Sequence, residues 1–381
     1  MKKILTTIIL RFLVIFSLVI PKTVLSDGPP KPKQWKGKGT IIEFQSVPSM
    51  TIKDFLIGKK PERQVTISGT LNFPANAAEK NAPVVVLLHG WGGIKDTNEH
   101  WLKVFNNMGL ATFMVDSAWA RRNCKKDNNY KKAIPFCAAR NKGMNRIIDG
   151  YRALELLSKH PRIDPDKIGC IGMSLGARGC LHLNVKRFQK MWGTPGLDYA
   201  ASVPMYPACN VIFKEDDEIT DTPIRIHIGE LDTYGSSDSC VNYVERLRAK
   251  GKDVEVKVYP ETHHSFEAPV SDGKSGKSKG HSDGKCYYEE NSSLPVAEMA
   301  PDDVAIISQI GFNEWYATAT KKEKKKVFRN LNGRHKSGWR VPQFQFDNSC
   351  VIKYQILLYN KESSAEAEKL VREFFTNTLI K

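Results

Sequence analysis

The sequence predicts an α/β protein, in which helices cover both faces of a mostly parallel sheet. Continuous apolar runs at 84–88, 111–115 and 167–172 are typical of strands that are buried on both faces. Between the second and third of these runs, residues 145–158 place their apolar side chains on one face of a helix. Such interleaving of strands with helices favours parallel strand pairing.

Further strands are predicted on either side of this region. Short alternating runs between residues 39 and 73 indicate antiparallel strands at the start of the sheet. Two more strands, 200–205 and 224–228, are predicted after these. In 254–258, valines alternate with charged residues, which predicts a strand nearer the sheet edge.

The first residues have the pattern of an export signal. Two lysines precede a mostly apolar run, 4–20, and the small residues Val24 and Ser26 suit a cleavage site, so residues 1–26 are expected to be removed. An uncleaved anchor is the alternative. Arg11 interrupts the run, however, and the run is shorter than a comfortable bilayer span. We therefore expect an exported chain, periplasmic or secreted, without a transmembrane span after cleavage.

The remaining chain divides at the point where the strand–helix rhythm stops. We predict a core at 27–268, an insertion at 269–360, and a last core helix at 361–381. The insertion begins with a Gly-, Ser- and Lys-rich stretch that is typical of a surface loop. The last helix is expected to begin with a capping box formed by Ser363 and Glu366.

The chain is basic, with a formal charge of +16. The export signal contains four basic residues and no acid, so the charge of the remainder is +12. Such a surface favours anionic partners, for example envelope polymers or lipid head groups. Nucleic acid is not expected as a partner, because the sequence contains no recognisable nucleic-acid-binding module.

All eight cysteines follow the export signal, and an even number in an oxidising compartment predicts disulfides. Their spacing does not resemble that of a zinc site. Cys170 and Cys180 lie on a predicted strand and on the helix after it, and we expect these two to remain free thiols. The expected pairs are Cys124 with Cys137, Cys209 with Cys240, and Cys286 with Cys350.

The strongest chemical motif is the pentapeptide Gly-Met-Ser-Leu-Gly at 172–176, between a predicted strand and a predicted helix. Glycines two residues either side of a serine permit a sharp strand-to-helix turn that exposes the hydroxyl at the positive end of the helix. Ser174 is therefore the predicted nucleophile.

A serine nucleophile needs a base, and the base needs an orienting acid. Asp232 follows the predicted strand 224–228, and His264 follows the strand 254–258, so both are expected at the same sheet edge as Ser174. Alternatives remain open at this stage. Glu230 or Asp238 could be the acid, and His263 could be the base.

Acyl transfer also requires donors for the developing oxyanion. Leu175, the residue after the nucleophile, can supply one backbone N–H. The glycine-rich segment at 89–93 follows an earlier strand, and we assign the second N–H to Trp91 within it. His89 is expected to brace this turn rather than to act in catalysis.

These motifs together resemble those of the dienelactone hydrolase family, in the α/β-hydrolase superfamily. The motifs lie, in the family's order, at 89–93, 172–176, 229–232 and 259–266. The resemblance implies an α/β-hydrolase fold with Ser174, Asp232 and His264 as the triad. The dienelactone hydrolases proper use a cysteine nucleophile, so the serine here suggests an esterase.

The predicted activity is hydrolysis of a small-molecule carboxylic ester or lactone through an acyl-enzyme. Neither a metal nor an organic cofactor is implied. An acyltransferase or a serine peptidase could use the same triad, because the shape of the pocket selects the acceptor. A binding protein on the same fold is a third possibility, against which the intact triad argues.

Overall fold

The computed structural model describes residues 39–94, 96–124, 143–267, 276–282, 288–290 and 352–381. All of them belong to one compact unit, Lys36–Lys381. The strands are β1 Thr40–Ser46, β2 Val65–Asn72, β3 Ala82–Leu88, β4 Ala111–Asp116, β5 Ile163–Met173, β6 Ala201–Met205, β7 Val211–Ile212, β8 Ile224–Gly229, β9 Val254–Tyr259, β10 Gly276–Ser282, β11 Tyr288–Glu289 and β12 Ile352–Leu357.

Helices connect these strands. The α-helices are α1 Ile52–Leu56, α2 Asp96–Asn107, α3 Met144–Ser158, α4 Leu175–His182, α5 Lys186–Trp192, α6 Ser237–Ala249 and α7 Lys361–Phe375. A 3-10 helix, Trp119–Cys124, follows β4, and a π-helical turn, Thr376–Ile380, extends α7.

The main sheet has eight strands in the order β1-β2-β4-β3-β5-β6-β8-β9. The pairings of β1 with β2 and of β2 with β4 are antiparallel, and all the others are parallel. Every residue of β4 and β6 is buried, as expected of strands covered on both faces. The predicted α/β-hydrolase fold is therefore confirmed, including the edge position of β9.

The start of α7 differs from the prediction. The helix begins at Lys361, and the side chain of Asn360 caps it by accepting the N–H of Ser363 at 3.0 Å. The predicted capping box is wrong because the helix begins before Ser363, so that this residue lies within the first turn instead of capping it. Ser363 Oγ lies 2.8 Å from Thr262 Oγ1, and Glu366 forms an ion pair with Lys257.

The described parts of the predicted insertion form two small sheets. The first pairs β10 with β12 in antiparallel orientation. The second pairs β11 with β7, a short strand of the core. Glu290, just after β11, accepts two hydrogen bonds from Arg187 on α5, at 3.1 and 2.6 Å. These contacts tie residues 288–290 to the surface of the core.

Two disulfides are present among the described residues. The expected pair of Cys209 with Cys240 is confirmed. The expectation of free thiols at Cys170 and Cys180 is wrong, because these residues form the second disulfide. The sharp turn after β5 folds α4 back along the strand, which brings their Cα atoms to 6.0 Å. Cys137, Cys286 and Cys350 lie outside the described residues, as do the export signal and most of the insertion.

Within the described ranges, no helix combines the length and the apolar character needed to cross a bilayer.

The double variant Cys209→Ala/Cys240→Ala should lower the free energy of unfolding by about 4 kcal/mol, because closing a loop of this length removes chain entropy from the unfolded state. Cys170→Ala/Cys180→Ala is the matched comparison. It opens a shorter loop and should cost about 3 kcal/mol. Urea unfolding followed by circular dichroism measures both losses. A Cys209→Ala/Cys240→Ala variant as stable as the parent would contradict this account.

Candidate active site

Ser174 occupies the single position between β5 and α4. Its φ of 52° lies in the left-handed region, which is strained for a residue with a side chain. The backbone N–H of Ser174 donates to the carbonyl of Met205 at the end of β6, at 3.0 Å. The turn therefore raises the hydroxyl above the sheet edge, as the pentapeptide predicts.

The two glycines of the pentapeptide are required by close backbone contacts. A Cβ atom on Gly172 would lie 2.2 Å from the carbonyl oxygen of Gly176. On Gly176 it would lie 2.0 Å from the carbonyl oxygen of Leu88, at the end of β3. Both distances are far shorter than a van der Waals contact, so only glycine fits. The turn is locked between its own helix and the neighbouring strand.

The three predicted triad side chains lie in one hydrogen-bonded chain. Ser174 Oγ is 2.9 Å from Nε2 of His264, and Nδ1 of His264 is 2.7 Å from Oδ2 of Asp232. Asp232 and His264 are only 2% and 3% exposed. The two residues lie in loops after β8 and β9, at the carboxyl ends of these parallel strands. The arrangement is that of a nucleophile, a base and an orienting acid.

The carboxylate of Asp232 is held by its own loop. Its second oxygen, Oδ1, accepts the backbone N–H groups of Tyr234 at 2.8 Å and Gly235 at 3.1 Å. The segments that carry Asp232 and His264 are also in tight contact. A Cβ atom on Gly229 would lie 2.1 Å from the carbonyl oxygen of Thr262. Oδ2 therefore faces His264 in a fixed direction.

The alternative acids and base are engaged elsewhere. Nδ1 of His263 lies 3.0 Å from the carbonyl of Leu231. Glu230 accepts the backbone N–H of Glu261 at 2.9 Å on the surface. Asp238 lies in the first turn of α6, where a carboxylate complements the helix dipole. The structure places His264 next to Ser174 and Asp232 next to His264.

The glycine-rich turn after β3 contacts the nucleophile. A Cβ atom on Gly90 would lie 3.2 Å from the carbonyl oxygen of Met173 and 3.5 Å from Cβ of Ser174, so the residue before Trp91 borders the nucleophile turn. Leu175 begins α4, and its N–H is among the amides that lack an intrahelical partner at a helix start. Both expected oxyanion donors therefore come from segments that border Ser174.

His89, in the same turn, is fully buried behind the site. Its Nδ1 lies 2.7 Å from the carbonyl of Gly90. Burial, and then the nearby Arg146 guanidinium, hold the pKa of His89 well below its ordinary value, so the imidazole is neutral. This environment agrees with the expected structural role of His89.

Two tyrosine rings that the sequence analysis did not single out flank the imidazole of His264. Tyr234 stacks on it with the ring centroids 4.5 Å apart, and Tyr206 meets it edge-on at 4.6 Å. Burial, and then the charge of Asp232, raise the pKa of Tyr234 to about 12. Both tyrosines lie in loops, where no periodic pattern reports on side-chain contacts.

Residues at the end of β12 also hold the loops of Asp232 and His264, and no sequence signal indicated this. The N–H of Leu358 donates to the carbonyl of His264 at 3.2 Å. The N–H of Ile356 donates to Oγ1 of Thr233, the residue after Asp232, also at 3.2 Å. The loops of the acid and of the base are thus fastened to one strand.

Across the residues that the structure describes, no group of three or more His, Cys, Asp or Glu side chains is placed to hold a metal ion.

The sheet order, the left-handed serine and the ordered Ser–His–Asp contacts define an α/β-hydrolase. The family model of the dienelactone hydrolases matches residues 67–289, which is more than half of the chain. The chain belongs to the dienelactone hydrolase family, and this membership places it among the ester hydrolases. No curated protein sequence matches the chain.

Solved structures with a similar fold include two hydrolases. One is the dienelactone hydrolase-like promiscuous phosphotriesterase P91 from metagenomic libraries, at 12% identity and a TM-score of 0.49, covering 89% of this chain and 99% of that one. Another is propionate-bound esterase 2 of Thermogutta terrifontis, at 16% identity and a TM-score of 0.42, covering 57% of this chain and 86% of that one.

Gly176→Ala should disrupt the nucleophile turn, because the added methyl group overlaps the carbonyl of Leu88, and we expect a loss of about 2 kcal/mol or more in the free energy of unfolding. Gly196→Ala is the control, since its φ is +80° but nothing lies within 4 Å. It should cost about 1 kcal/mol for the left-handed backbone alone. Urea unfolding distinguishes the two, and equal losses would contradict the steric account.

Proposed function

We propose that the protein hydrolyses a carboxylic ester or lactone, with Ser174 as the nucleophile, His264 as the general base and Asp232 as the orienting acid. The observation that carries this proposal is the continuous pair of contacts, 2.9 and 2.7 Å, that joins the three side chains. Hydrogen-bond distances of this kind allow a proton to move as a bond forms. Family membership supports the ester-hydrolase chemistry.

In the first step, Ser174 Oγ attacks the carbonyl carbon while Nε2 of His264 takes its proton. Asp232 accepts the hydrogen bond from Nδ1–H, which fixes the tautomer with a bare Nε2 and stabilises the imidazolium that forms. The proton then passes to the leaving alcohol oxygen, and an acyl-enzyme remains. Water repeats the sequence and releases the acid. This chemistry requires no metal or organic cofactor.

We assign the stabilisation of the oxyanion to the backbone N–H groups of Trp91 and Leu175. Leu175 lies at the start of α4, where the helix dipole adds a positive potential. Trp91 follows Gly90, whose Cα borders the nucleophile.

We also propose that the protein works in an oxidising compartment outside the cytoplasm. Two disulfides, Cys170–Cys180 and Cys209–Cys240, support this proposal, because such bonds persist mainly in exported proteins. The +12 charge expected for the exported chain would favour an anionic envelope surface there.

Variants of the triad test the proposed activity. Ser174→Ala and His264→Asn should each lower kcat for a p-nitrophenyl ester by about 10⁴-fold or more. Asp232→Asn should lower kcat by a similar factor, because an amide in place of the carboxylate favours the wrong tautomer of His264. Release of the free acid, followed by mass spectrometry, measures hydrolysis. A fluorophosphonate probe should label the parent chain at Ser174 and fail to label Ser174→Ala.

The neighbouring residues provide matched controls. His263→Asn and Glu230→Gln alter the same two loops, but their side chains contact only backbone groups away from Ser174. Both variants should keep kcat within about threefold of the parent, as is usual for surface substitutions. If a control loses as much activity as its partner variant, or if Ser174→Ala remains active, the assignment of the triad fails.

We propose that residues 269–360 are an insertion in a core formed by 27–268 and 361–381, and that the end of the insertion stabilises the active site. The contacts of Ile356 with Thr233 and of Leu358 with His264 support this. Through them, the insertion fastens the loops of the acid and the base.

Thr233→Val tests this coupling, because it preserves the shape of the side chain but removes the oxygen that accepts the N–H of Ile356. A lost hydrogen bond of about 1 kcal/mol predicts a several-fold fall in kcat. Thr66→Val is the control, since Thr66 accepts a side-chain hydrogen bond from Gln45 at the opposite sheet edge. Steady-state kinetics should show the fall only for Thr233→Val.

A further inference from the structure

A buried carboxyl group that the proposed mechanism does not use lies behind the base. Glu267 follows His264 by three residues and is only 1% exposed. Its Oε1 accepts a hydrogen bond from the hydroxyl of Tyr206. Its Oε2 has no hydrogen-bond partner among the described residues. A buried carboxyl oxygen without a hydrogen-bond partner is costly, so this group calls for a physical reason.

Tyr206 connects this carboxyl to both the base and the nucleophile. Its ring meets the imidazole of His264 edge-on, with centroids 4.6 Å apart and planes at 65°. It directly follows Met205, whose carbonyl accepts the N–H of Ser174. The backbone of Tyr206 has a φ of 46°, a left-handed conformation that is strained for an aromatic residue.

We propose that Tyr206 and Glu267 are positioning residues for His264: Glu267 fixes the Tyr206 hydroxyl, and the Tyr206 ring then holds the imidazole in line with Ser174 and Asp232. The proposal rests on the proposed function of the triad. Asp232 and Ser174 bond the two ring nitrogens of His264, but these two hydrogen bonds leave the ring able to rotate about the axis that joins them. Contacts with the T-shaped Tyr206 ring and the stacked Tyr234 ring restrict this rotation.

The charge of Glu267 gives the arrangement a dependence on pH. Burial raises the pKa of Glu267 to about 7, whereas hydrogen bonds from the Tyr206 hydroxyl and from the backbone N–H of Glu267 itself, and then the neighbouring His264, oppose the rise. The other groups that face this pair are Asp232, Ser265 and the Ser364 hydroxyl, which donates to the Glu267 carbonyl. Above its pKa, Glu267 carries a negative charge that favours the imidazolium formed as Ser174 attacks.

The rate of labelling by a fluorophosphonate probe tests the proposal, because it reports the reactivity of Ser174 without a pocket-specific substrate. Tyr206→Phe keeps the ring but removes the hydroxyl, so it should label about tenfold more slowly than the parent at equal probe concentration. Tyr199→Phe is the matched control. Tyr199 is equally buried, and its hydroxyl donates to the carbonyl of Gly150, so its loss should lower the Tm without changing the labelling rate.

Glu267→Gln is a second variant of the same volume, which can still accept the Tyr206 hydrogen bond but cannot ionise. The ratio of its labelling rate to that of the parent should fall several-fold between pH 6 and pH 8. Its Tm should also rise relative to the parent over this interval. The carboxyl binds its proton more tightly in the folded state, so the parent loses stability as the pH rises towards 7.

Different results would contradict the proposed function of the triad and the positioning role of Tyr206 and Glu267. If the parent is not labelled, or if Ser174→Ala is labelled equally, the proposed function is wrong. If labelling at Ser174 is intact but Tyr206→Phe matches the parent rate, the positioning role is wrong. A Glu267→Gln rate ratio that stays constant from pH 6 to pH 8 would likewise overturn the role of the carboxyl. A lower Tm for Tyr206→Phe without slower labelling would show that Tyr206 is merely structural.

Discussion

The close backbone contact at the nucleophile turn is the constraint on which the rest of the site depends. Gly176 lies against the carbonyl of Leu88, and Gly172 lies against the carbonyl of Gly176, with no room for a Cβ atom in either place. This contact fixes the start of α4 to the end of β3. It therefore holds the strained serine, the amide of Leu175 and the glycine-rich turn after β3 in one rigid group.

The parallel sheet supplies the remaining geometry. Because β8 and β9 run parallel to β5, the loops after all three strands meet at the same edge, and side chains far apart in sequence converge there. Convergence alone does not fix hydrogen-bond distances. Here Thr233 and His264 are both bonded to residues 356–358, so the acid and base loops share one support that lies outside the strand–helix repeat.

The sequence alone was sufficient to predict those features whose physical cause is local or periodic in the chain. Apolar runs predicted the strands, and the pentapeptide around Ser174 predicted its turn, because both depend on residues adjacent in the chain. The disulfide between Cys170 and Cys180 was missed, since it depends on how far α4 folds back along β5. The contacts of Tyr206 with Glu267, and of β12 with the base loop, join separate loops and leave no pattern in either one.

The two buried carboxyl groups near His264 differ in a way that suits different tasks. Asp232 faces three donors, namely two backbone amides and Nδ1 of His264, and both of its oxygens are hydrogen-bonded. Glu267 faces the Tyr206 hydroxyl and its own backbone N–H, its Oε2 lacks a partner among the described residues, and burial raises its pKa to about 7. A buried carboxyl that has few donors changes its charge near neutral pH. The number of donors, rather than the depth of burial, separates the orienting acid from the carboxyl behind it.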